Sequence, residues 1–457
     1  MNLSKYDNVF FIGIGGIGMS ALARWFSKEG KRVEGYDKTC TPLTESLVQE
    51  GIRVFCQDDI SEVGKVFLDT ENTLIIFTPA IPKDTGLYKY FSTSGHEVLK
   101  RAQVLGVISQ NYYTVGVAGT HGKTTTSSIL AHLLYQANRN VTCFVGGILK
   151  NYNSNLIYRN DGDGEHIVVV EADEFDRSFL RLSPNASIIT TVDPDHLDIY
   201  QDDKSFNQAF VDYANLLPQE GVLVKHQEVK LDTKVREVVY GDDGEASIQN
   251  LKVENGYQCF DYVYGSKCIK NINLYVPGHH NVMNTVAAIT VALELGVSDE
   301  KIIEGVQSYR GVKRRFEYII KNEKVIYLDD YAHHPSEIKA FVSAVRELFP
   351  NKKMTVLFQP HLYSRTRDFA ENFAEELAKI DELLLMDIYP ARELPIDGVN
   401  AEWLLSKVNN TNKRLVKEEE IVDVIKNIKT DIVVTLGAGD IDRFVEPIKE
   451  MLERESR

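Results

Sequence analysis

No stretch of the sequence approaches the ~18 consecutive apolar residues of a bilayer-crossing helix, so no membrane span is expected. Positive charge is not in surplus either. The formal net charge is −15, which argues against a nucleic-acid backbone as the main partner. It leaves room for anionic small molecules, because a glycine loop and one lysine can hold a phosphate inside an acidic protein. The five cysteines (Cys40, Cys56, Cys143, Cys259, Cys268) contain no CxxC pair. A scattered, odd set is what a reducing cytosol permits, and these thiols are assigned no role. A secretory leader is not expected, since MNLSKYDNVFFIG carries one basic residue and an apolar run that leads straight into a glycine loop, as a first strand does. Pro/Ser linkers, low-complexity tracts and short repeats are also missing, so domain junctions should be short.

What is present suits a soluble globular protein of several domains: 457 residues, 43% hydrophobic and 26% charged. Buried-type strands alternate with helical segments along the chain, which implies parallel, doubly wound α/β sheets. Three such units are expected. Residues 1–106 read as a Rossmann-like domain, opened by VFFI, GIGGIG and a helix stopped at Gly30. Residues 107–312 read as a P-loop ATPase-like parallel sheet, with antiparallel strands appended over about 219–277 and a helix over 281–296. Residues 313–457 read as a second Rossmann-like domain with strand-to-loop units at VIYLDDYAHHP, KKMTVLFQPH, ELLLMDIYP and DIVVTLGAGD. In all three, the informative residues follow strands, at the sheet edge where open α/β folds bind ligands.

Gly13, Gly15, Gly16 and Gly18 lie between a strand and a helix, where loop amides and the helix N-terminus can hold a diphosphate. Asp37, at the end of the second strand, could accept from a ribose hydroxyl. Alone, this is a dinucleotide fingerprint that a nicotinamide oxidoreductase would also carry. Gly119-Thr120-His121-Gly122-Lys123-Thr124-Thr125 is more specific. Lys123 would neutralise the β- and γ-phosphates of a nucleotide and Thr124 would ligate Mg²⁺, although Val117 stands where the strict phosphate-loop pattern has glycine. Glu171, Asp173 and Glu174 end one following strand and Asp193, Asp195, His196 and Asp198 the next, offering hard ligands for Mg²⁺; helix capping is the alternative for Glu174 and Asp198. Asn281 and Asn284, one turn apart, could read an adenine edge or cap their helix. Arg314, Arg315, Asp330, Tyr331, His333, His334, Gln359, His361, Arg365 and Asp440 cluster at strand ends of the third unit, where such side chains are rarely structural; the adjacent His333 and His334 before Pro335 could be simple capping.

Taken together, the chain resembles the Mur ligases over its whole length. GTHGKTTT is similar to their ATP loop, EADEFD and DPDHLD to their magnesium motifs, GHHNVMN to their adenine motif, and RRFE with DDYAHHP to the opening of their C-terminal domain. GIGGIGMSALA and QPHLYSRT resemble the alanine-adding branch in particular. The resemblance implies an ADP-forming ligase that joins L-alanine to the lactyl carboxylate of UDP-N-acetylmuramate through an acyl phosphate, with ATP and Mg²⁺, in cytoplasmic peptidoglycan precursor synthesis, as a monomer or homodimer. It assigns the first glycine loop to the UDP-sugar; Lys123, Thr124, Glu171 and His196 to ATP and metal; Asn281 and Asn284 to adenine; and Arg315 and Asp330 to the nucleotide. Tyr331, His333, His361 and Arg365 would form the alanine site, with Arg365 as carboxylate clamp and His196 or His333 as candidate bases. TPAI (78–81) and Gln103 depart from the family pattern near the UDP. The recycling ligase that adds a tripeptide to the same sugar, and a catalytically silent nucleotide-binding regulator, are the alternatives.

Overall fold

The computed structural model describes residues 2–193, 203–254, 256–391 and 393–455. The chain forms three sheets, distributed over two compact units. One unit comprises Met1–Lys252, Cys259–Tyr275 and Met283–Arg310; the other comprises Val253–Gln258, Val276–Val282 and Gly311–Arg457.

In the first unit, the N-terminal sheet runs Arg53–Phe55, Arg32–Tyr36, Asn8–Ile12, Thr73–Phe77, Glu97–Lys100 in space, all parallel. The chain starts in the middle, builds outward on one side and then on the other. The loop after Asn8–Ile12 therefore sits where the winding reverses, the place at which open α/β sheets bind ligands. This strand is buried on both faces, as a covered parallel sheet requires. Val9 and Phe11 pack into one core and Phe10 and Ile12 into another, each full burial worth roughly 1.5–3 kcal/mol. The following helix, Ile17–Lys28, stops before Gly30, whose φ of +78° suits a residue without a Cβ.

The second sheet has ten strands. Its centre is Ala186–Ile189, Tyr113–Ala118 and Asp163–Ala172, mutually parallel, so the loops after all three open on one edge. The expectation of antiparallel strands across 219–277 is corrected in part. Val222–His226 and Arg236–Tyr240 extend the sheet in parallel. Ala246–Glu254, Tyr257–Tyr264 and Lys267–Leu274 follow as consecutive neighbours in the sheet, and the two-residue turn between the last two is one that only antiparallel neighbours can use. Arg236–Tyr240 is buried at alternate residues and Val222–His226 at four consecutive ones, Lys225 included, so polar residues in these strands do not report which way a neighbour runs. A further antiparallel pair, Arg139–Leu149 with Ser154–Arg159, closes the other end. Buried Arg24 ties the first two sheets of this unit together, donating to Glu50 and, at 2.5 Å, to Asn155 Oδ1, while Asn155 Nδ2 donates back to Ser20 Oγ.

The second unit holds the third sheet, Glu317–Lys321, Ile326–Asp330, Ile432–Leu436, Met354–Phe358, Glu382–Leu385, Lys413–Leu415, parallel except for its first, edge strand. Residues alternate between two cores: Ile326, Leu328, Ile432 and Val434 on one face, Tyr327 and Val433 on the other. The last strand in sequence inserts between the first two parallel ones, so the loops after Asp330, Phe358 and Leu436 lie side by side. Cys40 and Cys56, assigned no role from sequence, are disulfide-bonded. Sixteen positions separate them, but pairing of Glu34–Tyr36 with Arg53–Phe55 brings the loops that follow together. Among the described residues, no helix is long and apolar enough to cross a membrane.

Candidate active site

The glycine loop of the first sheet is a tight turn that its neighbours leave no room to decorate. Gly13 has φ +88°, and a Cβ there would lie 2.7 Å from Thr78 Cγ2, in the TPAI segment. Asp37 Oδ2 accepts from the Gly15 N–H at 2.8 Å and Oδ1 from Thr39 N–H, so this carboxylate braces the loop's own backbone. Arg101 packs its guanidinium over Gly18 and lies 3.7 Å from Asp173. It places a cation at the start of the helix after the loop, where an anionic group would bind. Gln103 closes a cap with the Lys100 N–H at 2.8 Å.

The second glycine loop follows Tyr113–Ala118 and ends in Gly122, whose φ of +81° starts the helix Lys123–Gln136. Thr190 and Thr191 on the neighbouring strand end brace it: Thr191 Oγ1 accepts from the His121 N–H at 3.0 Å and meets Thr120 Oγ1 at 2.9 Å. Lys123 Nζ donates to the Gly119 carbonyl at 2.6 Å and to both oxygens of Glu174 at 2.9 and 2.8 Å. Burial opposes its charge, but Glu174, Asp173 and Glu171 outweigh that and hold the ammonium above its ordinary pKa. Thr124 Oγ1 donates to Glu171 Oε2 at 3.1 Å, and Glu171 Oε1 accepts from Gly146 N–H at 2.6 Å. A Cβ at Gly146 would sit 2.8 Å from that carboxylate. Hydroxyl and carboxylate oxygens thus meet beside the phosphate loop, a donor set that suits Mg²⁺. His196, with Asp195 and Asp198, lies outside the described residues. Asn284 faces the loop, its Oδ1 2.8 Å from where a Gly122 Cβ would be. Asn281 instead turns its amide back to the Pro277 carbonyl at 2.7 Å.

In the second unit, Arg315 lies in a turn whose flanking residues, Arg314 and Phe316, both have positive φ (60° and 46°), a strained geometry for residues with side chains. Buried Asp330 secures that turn by accepting from the Phe316 and Ala332 N–H groups at 2.6 and 2.8 Å. Burial pushes its carboxyl up to about 6, against the pull of Arg315 and those amides. Arg314 bonds Asp329 at 3.1 Å and the Gly437 carbonyl at 2.7 Å, and both arginines lie over the Tyr331 ring. His361 stacks on Tyr389 and meets His333 edge-on, with ring centroids 5.6 and 5.7 Å apart. Arg365 is buried, with its Nη1 3.5 Å from His361 Nδ1. The neighbouring Asp368 pairs with Arg367 at 2.7 Å. Burial, then His333 and Arg365, push His361 down to about 3, so this cluster meets a ligand as neutral imidazoles and a fixed guanidinium, arranged for a carboxylate. His334 is a cap, its Nδ1 3.4 Å from Ser336 N–H, whereas His333 is not.

The chain matches, in order, the Mur ligase family catalytic domain over residues 8–113, the Mur ligase middle domain over 117–292 and the Mur ligase glutamate ligase domain over 314–439. The chain belongs to the Mur ligase family. Among family members, it is 48% identical to the UDP-N-acetylmuramate–L-alanine ligase of Cytophaga hutchinsonii, over 99% of this chain and 98% of that one. It is 49% identical to the enzyme of the same name from Flavobacterium psychrophilum, over 99% and 100%. The crystal structure of UDP-N-acetylmuramate–alanine ligase from Thermotoga maritima superposes with a TM-score of 0.82 at 27% identity, covering 98% of this chain and 99% of that one. A murein peptide ligase from Psychrobacter arcticus, 19% identical with a TM-score of 0.69 over 97% and 98%, shares the fold.

For a Mur ligase chain, four contacts escaped the sequence. Arg101 and Gly146 carry no motif. Thr191 reads as a strand residue. Glu337 was legible in principle, because its spacing from His334 is that of a capping box.

Proposed function

We propose that this Mur ligase joins L-alanine to the lactyl carboxylate of UDP-N-acetylmuramate at the expense of ATP, giving ADP and phosphate, in the cytoplasm where both nucleotides are made. The observation that carries this reading is near-half identity, end to end, with two enzymes of that name. The local chemistry supports it. The Gly13–Gly18 loop is the seat of the UDP diphosphate, with Arg101 as its cation. Lys123 and the amides of Gly119–Thr125 are assigned to the ATP phosphates, Asn281 and Asn284 to the adenine, and Arg315 and Asp330 to nucleotide binding. Thr124 and Glu171, with His196, would hold Mg²⁺, which when bound offsets phosphate charge.

The lactyl carboxylate attacks the γ-phosphorus, the bond to the β-phosphate oxygen breaks, and an acyl phosphate and ADP result. Lys123, withdrawn from Glu174 toward the phosphates, stabilises the charge spread over the transferring group. The amine of L-alanine then attacks the acyl carbon and phosphate leaves. Arg365 suits the alanine carboxylate because its planar fork fixes direction as well as distance, with Tyr331, His333 and His361 beside it. Phosphate release should be measured with ATP and UDP-N-acetylmuramate, adding L-alanine, glycine, L-serine or a preformed tripeptide. Release that depends on both the sugar nucleotide and L-alanine is expected; release driven by the tripeptide and not by alanine would contradict the proposal.

A further inference from the structure

Glu337 belongs to the first turn of the helix Pro335–Leu348, and its Oε2 gathers three groups. It accepts from the backbone N–H of His333 at 3.0 Å and of His334 at 3.3 Å, and it lies 3.2 Å from His333 Nδ1. The same Nδ1 is 2.9 Å from the Tyr331 carbonyl oxygen. Carbonyl and carboxylate oxygens only accept, so Nδ1 must carry the ring proton and Nε2 is left with a bare lone pair. Closing the helix cap explains the contact to the His334 N–H. It does not explain why the carboxylate reaches the His333 ring.

Resting on the alanine-ligase reading above, we infer that Glu337 is a positioning residue that holds His333 in its Nδ1-protonated form and presents Nε2 to the ammonium group of incoming L-alanine. One ammonium N–H bond breaks, its proton passes to Nε2, and the electron pair stays on nitrogen. That nitrogen bonds to the acyl carbon while the carbon–oxygen bond to phosphate breaks. The adduct's surplus proton leaves with the phosphate, and the imidazolium returns its proton to solvent. Ammonium and acyl phosphate thereby become amide, hydrogen phosphate and one proton.

The charges around His333 suit the task. Burial holds the ring below its ordinary pKa, Glu337 opposes that, Arg365 reinforces it, the Tyr331 carbonyl opposes it, and Arg315 reinforces it again. His361 faces the ring edge-on. His280, itself pushed down to about 4, senses the same Arg315 and Glu337. The imidazole is therefore neutral when alanine arrives, and Glu337 offsets part of the charge it gains.

The test is the pH profile of kcat/KM for L-alanine in the full chain carrying Glu337→Gln. Glutamine keeps an oxygen for all three contacts, but it loses the charge, including the pairing of Oε1 with Arg315 Nη1 at 3.7 Å. The melting temperature and the KM for UDP-N-acetylmuramate should stay at wild-type values. The acid limb should move down by about one pH unit, and kcat/KM at neutral pH should fall about threefold or more. His333→Gln, as a second variant, should lose about a hundredfold and the limb with it. A Glu337→Gln profile superposable on wild type, or an acid limb that survives in His333→Gln, would overturn the inference. If the wild type ligates alanine and the variants do not differ from it, only this inference falls. If the wild type does not ligate alanine at all, the functional proposal falls and takes it along.

Discussion

At the scale of single residues, the least anticipated finding is that Lys123 is held by Glu174, a residue only 1% exposed. The pair has a consequence for the simplest mutagenesis of the phosphate loop. Lys123→Ala removes the cation proposed to meet the γ-phosphate and should lower turnover at least about a hundredfold. It also strips a buried carboxylate of its counter-charge, which costs a few kcal/mol when a buried ion pair is broken from one side. The single variant should therefore melt lower as well as lose activity. Adding Glu174→Gln should restore the melting temperature without restoring turnover. Calorimetry and a phosphate-release assay on both variants separate the effects; a Lys123→Ala melting temperature equal to wild type would mean the pair contributes nothing to the fold. The lysine stood out in the sequence because the glycines and threonines around it have no core-packing purpose, and it opens the helix Lys123–Gln136. Its partner was less legible, because a glutamate just past a strand end reads equally well as a cap.

At the scale of elements, strand-loop-helix units were readable because buried parallel strands are continuous apolar runs and their loops carry the polar chemistry. Val222–His226 and Arg236–Tyr240 were misjudged because polar residues in a strand do not report which way a neighbour runs; Lys225 is buried in the first and paired with Glu237 of the second at 2.7 Å. The helix Lys123–Gln136 carries another feature that sequence did not reveal. His132 is buried between Tyr152 Oη at 2.7 Å and Ser308 Oγ at 2.9 Å, and burial, with Arg310, pushes it down to about 4. The unfolded chain protonates this histidine near pH 6.5. Since its folded pKa is depressed, its stabilising contribution is complete above about 6.5 and is lost as pH falls from there toward 4. The slope is about 1.4 kcal/mol per pH unit in that window. Urea denaturation between pH 7 and 5 should show the loss, and His132→Gln should flatten it. An unchanged slope in that variant would place the acid sensitivity elsewhere.

For the whole molecule, a net charge of −15 coexists with cations placed at strand-end loops: Arg101 beside the first glycine loop, Lys123 in the second, and Arg314, Arg315 and Arg365 in the second unit. Composition excluded a membrane span and a nucleic-acid partner as expectations but could not distinguish a dinucleotide fold from a UDP-sugar fold. That distinction came from several motifs in a fixed order, and their spacing along the chain was legible where their contacts were not. The most direct test of ATP-driven ligation through an acyl phosphate follows the oxygen atoms. UDP-N-acetylmuramate labelled with ¹⁸O in its lactyl carboxylate should be incubated with ATP and L-alanine, and the released phosphate analysed by mass spectrometry. One labelled oxygen should appear in each phosphate, because the carboxylate oxygen that attacks the γ-phosphorus departs with it. Unlabelled phosphate would contradict that chemistry, because the carboxylate oxygen lost on amide formation would then have left by a route other than an acyl phosphate.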